Sequence, residues 1–208
     1  GMPIPDFQLI KDIEDIDWSQ INYPVIVKPI DRSGSRGIYK VANEEDLYAA
    51  FRNSKGVSFT DYLLVEEYVE GKEYSVEAIS QNGKHKILQV TEKFTSGAPN
   101  FIETAHLSPA RIDNNLKSVI FQVIEESLRV LEVKNGASHS EIKVTQDGNI
   151  KIIEIAARMG GDFIGSDMVK ISTGFDFVKS VIEVSLGLDG KFVINDTNET
   201  ALVKFIFE

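Results

Sequence analysis

His139-Ser140-Glu141-Ile142-Lys143-Val144-Thr145-Gln146-Asp147-Gly148-Asn149-Ile150-Lys151-Ile152-Ile153-Glu154-Ile155-Ala156-Ala157-Arg158-Met159-Gly160-Gly161 is the stretch on which the fold turns. It reads as strand Ala137–Thr145, a two-residue turn at Asp147-Gly148, strand Asn149–Ala156 and a Gly-Gly loop. In such a hairpin, residues whose numbers add to 295 lie opposite each other, and Glu141 and Glu154 satisfy this. Counted outward from the closing pair Gln146 and Asn149, they fall on a non-hydrogen-bonded position, where opposing Cα atoms approach to about 4.5 Å. Like charges placed opposite each other destabilise a sheet unless solvent, a raised pKa or a cation relieves them. Magnesium, a hard ion that prefers carboxylate oxygen and shares its shell with phosphates, fits best. The same parity expects His139 opposite Ala156 and Ala137 opposite Arg158, so that a metal, a proton-transfer group and a guanidinium line one surface. The competing reading is a solvated outer face with Lys143 between the two acids.

Working outward, strands and helices alternate without internal repeats or low-complexity segments. Tyr23–Ile30 reads as a strand, Asp31–Arg36 as a Gly/Ser loop and Gly37–Val41 as a second strand. Asn43 caps a helix whose apolar residues Leu47, Tyr48 and Phe51 fall at helical spacing. Strand Tyr62–Glu66 leads through Glu70-Gly71 into a hairpin, Glu73–Gln81 with Lys84–Lys93, turned by Asn82-Gly83. An irregular segment Phe94–Asn100 precedes strand Phe101–Leu107. After Asp113, Leu116, Val119, Ile120, Val123, Ile124, Leu128 and Leu131 form an apolar helical stripe read as core. Helical segments Ile164–Ile171 and Phe175–Leu186 follow. The pattern is that of an α+β domain built mainly from antiparallel hairpins with helices on their faces.

Composition narrows the function. A chain of 208 residues, 42% hydrophobic, can bury a core as one larger domain or two subdomains. With no cysteine, disulfides, thiolate nucleophiles and cysteine-ligated metals are excluded. A net charge of −10 argues against a nucleic-acid partner, which requires clustered lysine and arginine. No apolar run approaches the roughly 20 residues of a membrane helix and no secretory leader is evident, so the expectation is a cytoplasmic protein without a membrane partner. Gly1 ahead of Met2 reads as a remnant of tag removal, and the chain is expected to be cut from something longer.

Two further motifs join the acidic hairpin. Val25-Ile26-Val27-Lys28-Pro29 runs into Ser33-Gly34-Ser35-Arg36-Gly37, an apolar strand ending in lysine and then a loop rich in backbone donors. Such loops wrap phosphates while a lysine supplies a point charge, although a lysine before a polar turn is also an ordinary strand end. It is neither a Walker A loop nor a Gly-x-Gly-x-x-Gly turn. Leu63-Leu64-Val65-Glu66-Glu67-Tyr68-Val69-Glu70-Gly71-Lys72-Glu73 is a buried strand, an acidic hinge and a new strand. A hinge of this kind can read an adenine edge, and a carboxylate beyond it can hold ribose hydroxyls.

The order strand-Lys, Gly/Ser loop, Glu-Glu-Tyr-Val-Glu-Gly-x-Glu and paired Glu strands resembles the ATP-grasp superfamily, from about Pro3 to Gly187. His139-Ser140-Glu141 with Glu154 to Gly161 is most similar to the branch of L-amino-acid ligases and carnosine-synthase-like enzymes. Biotin carboxylase and carbamoyl-phosphate synthase are more distant. The resemblance implies two subdomains, about 1–69 with the phosphate loop and about 70–208 with the metal-binding sheet, and nucleotide held between them. It implies Lys28 on the α- and β-phosphates, and Ser33, Gly34, Ser35, Arg36 and Gly37 as a phosphate-covering loop. Glu66 with the backbone of Glu67, Tyr68 and Val69 would hold adenine, and Glu73 ribose. Glu141 and Glu154 match the family's magnesium ligands, and Arg158 an arginine that steadies the transferring phosphate or acyl phosphate. Many members carry asparagine two residues after the second glutamate, where this chain has Ala156, so a second metal ion would be held more weakly or by another group.

The histidines divide. His85, in a polar turn, is expected to be exposed and idle. His106 sits where related ligases have a segment near the substrate, with Glu103 close by in sequence, and His139 is a candidate catalytic group. For His106 and His139 the competing reading is a structural histidine. Gly160 and Gly161 either let backbone amides approach a substrate carboxylate or form a tight turn needing positive φ.

The implied cofactors are ATP and Mg2+, one or two ions, with Mn2+ as a substitute. The implied reaction phosphorylates a small-molecule carboxylate to an acyl phosphate that an amine captures, with amino-acid ligation as one form of it. Alternatives are a carboxylase or carbamoyl-phosphate-type domain using bicarbonate, and a nucleotide-binding module without turnover. A protein kinase is excluded because its glycine loop precedes its lysine and no His-Arg-Asp or Asp-Phe-Gly occurs. A deaminase zinc site is excluded by the lack of cysteine. The family implies a Rossmann-like domain before this one. A homodimer, if formed, would use domains outside this chain.

Overall fold

A computed structural model describes residues 1–99, 101–195 and 197–207. Asn100, expected to end the irregular stretch after Phe94, lies outside the described residues. The chain divides into two compact units, Ile4–Val69 with Thr95–Glu103, and Gly1–Pro3 with Glu70–Phe94 and Thr104–Glu208. The architecture is α+β, and every strand pair whose register is described is antiparallel.

The smaller unit holds a four-stranded sheet of β1 (Phe7–Ile10), β2 (Val25–Pro29), β3 (Tyr39–Val41) and β4 (Leu63–Glu67), in the order β1-β4-β2-β3. Helix α1 (Glu44–Val57) starts where the Asn43 side chain accepts the Asp46 N–H at 3.0 Å, and acidic residues fill its first turn. Its buried face, Leu47, Ala50 and Phe51, packs with Val25, Val27, Val41, Leu63 and Val65. Tyr48, expected in this stripe, is instead 45% exposed and stacks on Trp18 at 6.1 Å between ring centroids. It lies one position beyond Leu47, which turns it about 100° off the buried face. Strand β1 carries no motif and was not foreseen.

The larger unit is built on β5 (Lys72–Gln81), β6 (Lys84–Thr95), β7 (Glu103–Ser108), β8 (Gly136–Val144), β9 (Ile150–Ala156) and β10 (Ala201–Lys204), in the order β10-β7-β6-β5-β8-β9. The Asn82-Gly83 turn is as expected, with φ of 51° and 74° and Gln81 opposite Lys84. His85 is not the idle surface group expected: it is half-buried, with Nδ1 2.8 Å from the Ser80 Oγ. Strand β6 continues through Phe94 to Thr95, further than expected.

One face of this sheet is covered by α2 (Asn114–Val130), which Asp113 caps by accepting the Leu116 N–H at 2.8 Å. Ile120, Ile124 and Leu128 of the expected stripe are fully buried against Tyr74, Val76, Ala78, Ile142, Val144, Ile150 and Ile152. Val119 and Leu131, at the margins of the stripe, are exposed. On the opposite face, α3 (Val169–Thr173) and α4 (Phe177–Ser185) bury Val169, Phe177 and Val184 with Ile79 and Leu88. The expected first tail helix opens as a wide π turn over Ile164–Met168 and continues as α3 two residues past the expected end at Ile171, to Thr173, where Gly174 stops it at φ +65°. The stretch of that face beyond Ile79 carries the polar residues of β5, β6 and β8.

Candidate functional site

The decisive hairpin reaches the expected pairing by a different route. Thr145 donates its N–H to the Asn149 carbonyl at 2.9 Å, and Val144 lies opposite Ile150, so the connection is the three residues Gln146, Asp147 and Gly148, with Gly148 at φ +84°. The two-residue turn is therefore corrected: near the turn, opposed residue numbers add to 294. A β-bulge between Glu141 and Ile142 then takes up one extra residue, Ile153, on β9 and restores the expected register. Glu141 lies opposite Glu154 and His139 opposite Ala156. The pairing ends there, so Ala137 is not paired with Arg158. Arg158 lies exposed in the loop after β9, with Nη1 donating to the Met159 carbonyl at 2.9 Å.

Alternation along β5 and β8 places Glu73, Ser75 and Glu77 opposite Lys143, Glu141 and His139 on one face. These residues form a connected charged network. Lys93 Nζ lies 3.0 Å from one Glu141 oxygen and 3.9 Å from Glu73, and Lys143 Nζ is 3.2 Å from the other Glu73 oxygen. His139 Nε2 is 3.6 Å from Glu141 Oε1, while its Nδ1 meets Glu77 Oε1 in a short bond. Glu77 Oε2 accepts the Gly160 N–H at 2.9 Å.

The electrostatics follow. Burial, the largest single influence on His139, pushes its pKa down, but hydrogen bonds to Glu141 and Glu77 and the charges of both outweigh it and raise it to about 9. Burial pushes Glu141 up, yet the His139 hydrogen bond and the Lys93 charge bring it down to about 2. Cations within the sheet thus already neutralise Glu141. Glu141 is held ionised rather than protonated, and Glu154 opposite it is exposed. Two carboxylates at facing positions, one fixed and one open to solvent, form a donor set that fits a hard divalent cation.

In the smaller unit, Lys28 and Glu66 project from the same face of the sheet, with Lys28 Nζ 2.6 Å from Glu66 Oε1. Lys40, on the neighbouring strand, stands over the Tyr68 ring at 3.7 Å. The N–H groups of Glu67 and Tyr68 are donated to the carbonyls of Asp6 and Pro24, at 2.8 and 3.2 Å. In the Ser33–Gly37 loop, Gly34, Ser35 and Gly37 all adopt positive φ, and Ser33, Gly34 and Arg36 are exposed. The loop is fastened where Ser54 Oγ donates to the Gly37 carbonyl at 2.7 Å and Ser35 Oγ to the Phe101 carbonyl at 3.2 Å. Val69 is buried at the end of the hinge.

His106 is buried on β7, edge-on to Phe205, with Nε2 3.9 Å from Asp162. Neither Gly160 nor Gly161 has positive φ, so the tight-turn reading of this pair is corrected. A Cβ at Gly160 would stand 2.5 Å from Glu77 Oε1 and 2.8 Å from His139 Nδ1, whereas one at Gly161 would meet nothing within 4 Å. Sequence reading missed Glu77, Lys93 and Lys40 as members of these constellations. The alternation Glu73, Ser75, Glu77 on β5 was a usable signal for Glu77, but its partner His139 lies 62 positions away.

Comparison with known proteins agrees with this architecture. An L-arginine-specific L-amino acid ligase of Bacillus subtilis is 25% identical over 209 residues, covering 96% of this chain and 50% of that protein. A D-alanine–D-alanine ligase of Wolbachia pipientis wMel is 28% identical over 181 residues, covering 80% of this chain and 55% of its own length. The chain thus spans about half the length of these relatives. Among solved structures, an L-amino acid ligase from Bacillus licheniformis superposes with a TM-score of 0.76 at 25% identity, over 88% of this chain and 43% of that one. The biotin carboxylase domain of Hydrogenobacter thermophilus 2-oxoglutarate carboxylase, solved with MgADP and bicarbonate, shares the fold at a TM-score of 0.82 and 20% identity, over 97% of this chain and 46% of that one. A description of the ATP-grasp domain matches residues 21–167, the span from the first long strand through the acidic hairpin to the Gly-Gly loop, and the chain belongs to the ATP-grasp family.

Proposed function

We propose that this chain is the nucleotide- and metal-binding part of an ATP-dependent carboxylate–amine ligase, which phosphorylates a carboxylate to an acyl phosphate for capture by an amine. The observation that carries the reading is the opposition of Glu141 and Glu154, with Glu141 kept ionised by Lys93 and His139. The 25% identity to L-amino acid ligases supports an amino acid as the carboxylate.

Glu141 and Glu154 would hold Mg2+, which when bound to ATP neutralises phosphate charge and polarises the terminal phosphorus. Lys28 would hold phosphate: its ammonium carries three donors, so the bond to Glu66 leaves others to share. The backbone of Ser33–Gly37 would cover the phosphates, and Arg158, exposed beyond β9, would bind charge developing on the transferred group. Glu66 and the segment Glu67–Val69 would border adenine, Glu73 the ribose, and His106 with Gly161 the substrate carboxylate. Catalysis in this scheme is positioning and charge stabilisation.

Glu154→Gln tests the proposal, because the residue is exposed and its change should leave the fold intact. Far-UV circular dichroism should be unaltered while magnesium-dependent nucleotide hydrolysis disappears. Unchanged turnover in the variant would sink the assignment. Ala156, where many relatives have a further ligand, favours as second reading a module that binds ADP without turnover. Calorimetric ADP binding with no phosphate release for any amino acid or bicarbonate would favour it.

A further inference from the structure

Glu77 is a carboxylate with no exposed surface at the centre of the six-stranded sheet. Burying such a group costs several kcal/mol unless it is fully hydrogen-bonded, and an apolar residue would meet the packing requirement more cheaply. Its two oxygens are committed to two different elements, Oε1 to His139 Nδ1 on β8 and Oε2 to the Gly160 N–H in the loop after β9. Gly160 does not need glycine for its backbone, since its φ is not positive. It needs glycine for space, because a Cβ there would overlap both Glu77 and His139. Beyond His139 the chain of contacts continues to Glu141, and from Glu141 to Lys93.

We infer that Glu77 is a positioning residue that fixes the imidazole behind Glu141 and the Arg158–Gly161 loop from a single anchor, and that Gly160 is glycine to admit it. The inference rests on the metal–nucleotide reading above. It also removes the Gly160 amide from the groups offered to a substrate, because that N–H is spent on Glu77, and leaves Gly161, with open space around it, as the loop's approach point. One rigid anchor would keep a metal-binding carboxylate and the guanidinium loop in fixed register, as outer-shell partners of metal ligands do.

The test uses the whole chain and two variants that attack the same contact from opposite sides. Glu77→Gln keeps the volume but leaves one acceptor oxygen for two N–H donors. Gly160→Ala leaves both charges intact and forces the loop away. Binding of ADP is measured by calorimetry with and without Mn2+, and amide exchange is followed over residues 157–163. Each variant should weaken Mn2+-dependent ADP binding roughly tenfold and leave metal-free ADP binding within about twofold of the original. The double variant should be no weaker than the worse single one. Exchange in the loop should quicken roughly tenfold, the readout expected if the anchor is what holds it.

Retention of Mn2+-dependent affinity within about twofold in both variants, with the original protein binding as expected, overturns the inference alone. If the original protein binds ADP no better with Mn2+ than without, the ligase reading fails and the inference with it. Should Glu77→Gln fail to fold, Gly160→Ala carries the same comparison.

Discussion

Raising the pH through the alkaline range should remove one identifiable contribution to the stability of the larger unit. His139 is held as a cation between Glu77 and Glu141, with its pKa raised from 6.5 to about 9. The folded value lies above the unfolded one, so the contribution is fully present below pH 6.5, declines from there to about 9, and is gone at higher pH. At about 1.4 kcal/mol per pH unit this amounts to about 3 kcal/mol. The depressed value of Glu141 reflects the same pair from the other side and is not added to it. Its own loss belongs to the acid range, as pH falls from 4.5 towards 2. Urea unfolding from pH 5.5 to 10 is followed by circular dichroism, because the single tryptophan, Trp18, belongs to the smaller unit. With three histidines in the chain, ring-proton titration of the native protein and of His139→Gln assigns the group directly. The original protein should lose about 3 kcal/mol relative to His139→Gln across the window. A stability difference that stays constant with pH, or a His139 ring that titrates near 6.5, would refute the charged assignment.

Other outcomes follow from single contacts. Leu128→Ala, at a fully buried position under α2, should cost about 2–5 kcal/mol in denaturant unfolding of the larger unit. Asp113→Ala removes the acceptor of the Leu116 N–H and should cost about 1 kcal/mol, measured the same way. Gly71→Ala would drive a Cβ into the Val144 carbonyl, and a loss of about 1–3 kcal/mol is expected. Lys28→Ala should weaken ADP binding about tenfold by calorimetry if the lysine holds phosphate. No change there would leave Lys28 as the partner of Glu66 only.

Local signals were legible and non-local ones were not. Asn43 and Asp113 announce the two long helices because an N-cap is a bond within four residues, and Asn82-Gly83 fixes its hairpin for the same reason. The acidic pair was found from the sequence, although the turn has three residues rather than two. Its odd count is cancelled by the bulge at Ile153, and nothing local reveals either irregularity. Tyr48 was misplaced because apolar character alone does not say on which side of the stripe a residue falls. Glu77 escaped because its meaning depends on β5 lying beside β8, and His139 and Gly160 come from segments far along the chain. The neutralisation of Glu141 by Lys93 was hidden for the same reason, since that lysine stands two strands away.

The free side of β9 has a consequence for how the protein behaves in concentrated solution. An outermost strand ordinarily offers a row of open N–H and C=O groups to any chain that drifts past. Here the Ile152 N–H is taken by the Pro3 carbonyl at 2.8 Å, and the extra residue next to it spoils the even spacing a newcomer would have to match. Pro3 therefore shields that donor, and removing it would uncover a backbone N–H beside Ile153 to which a passing strand could bond.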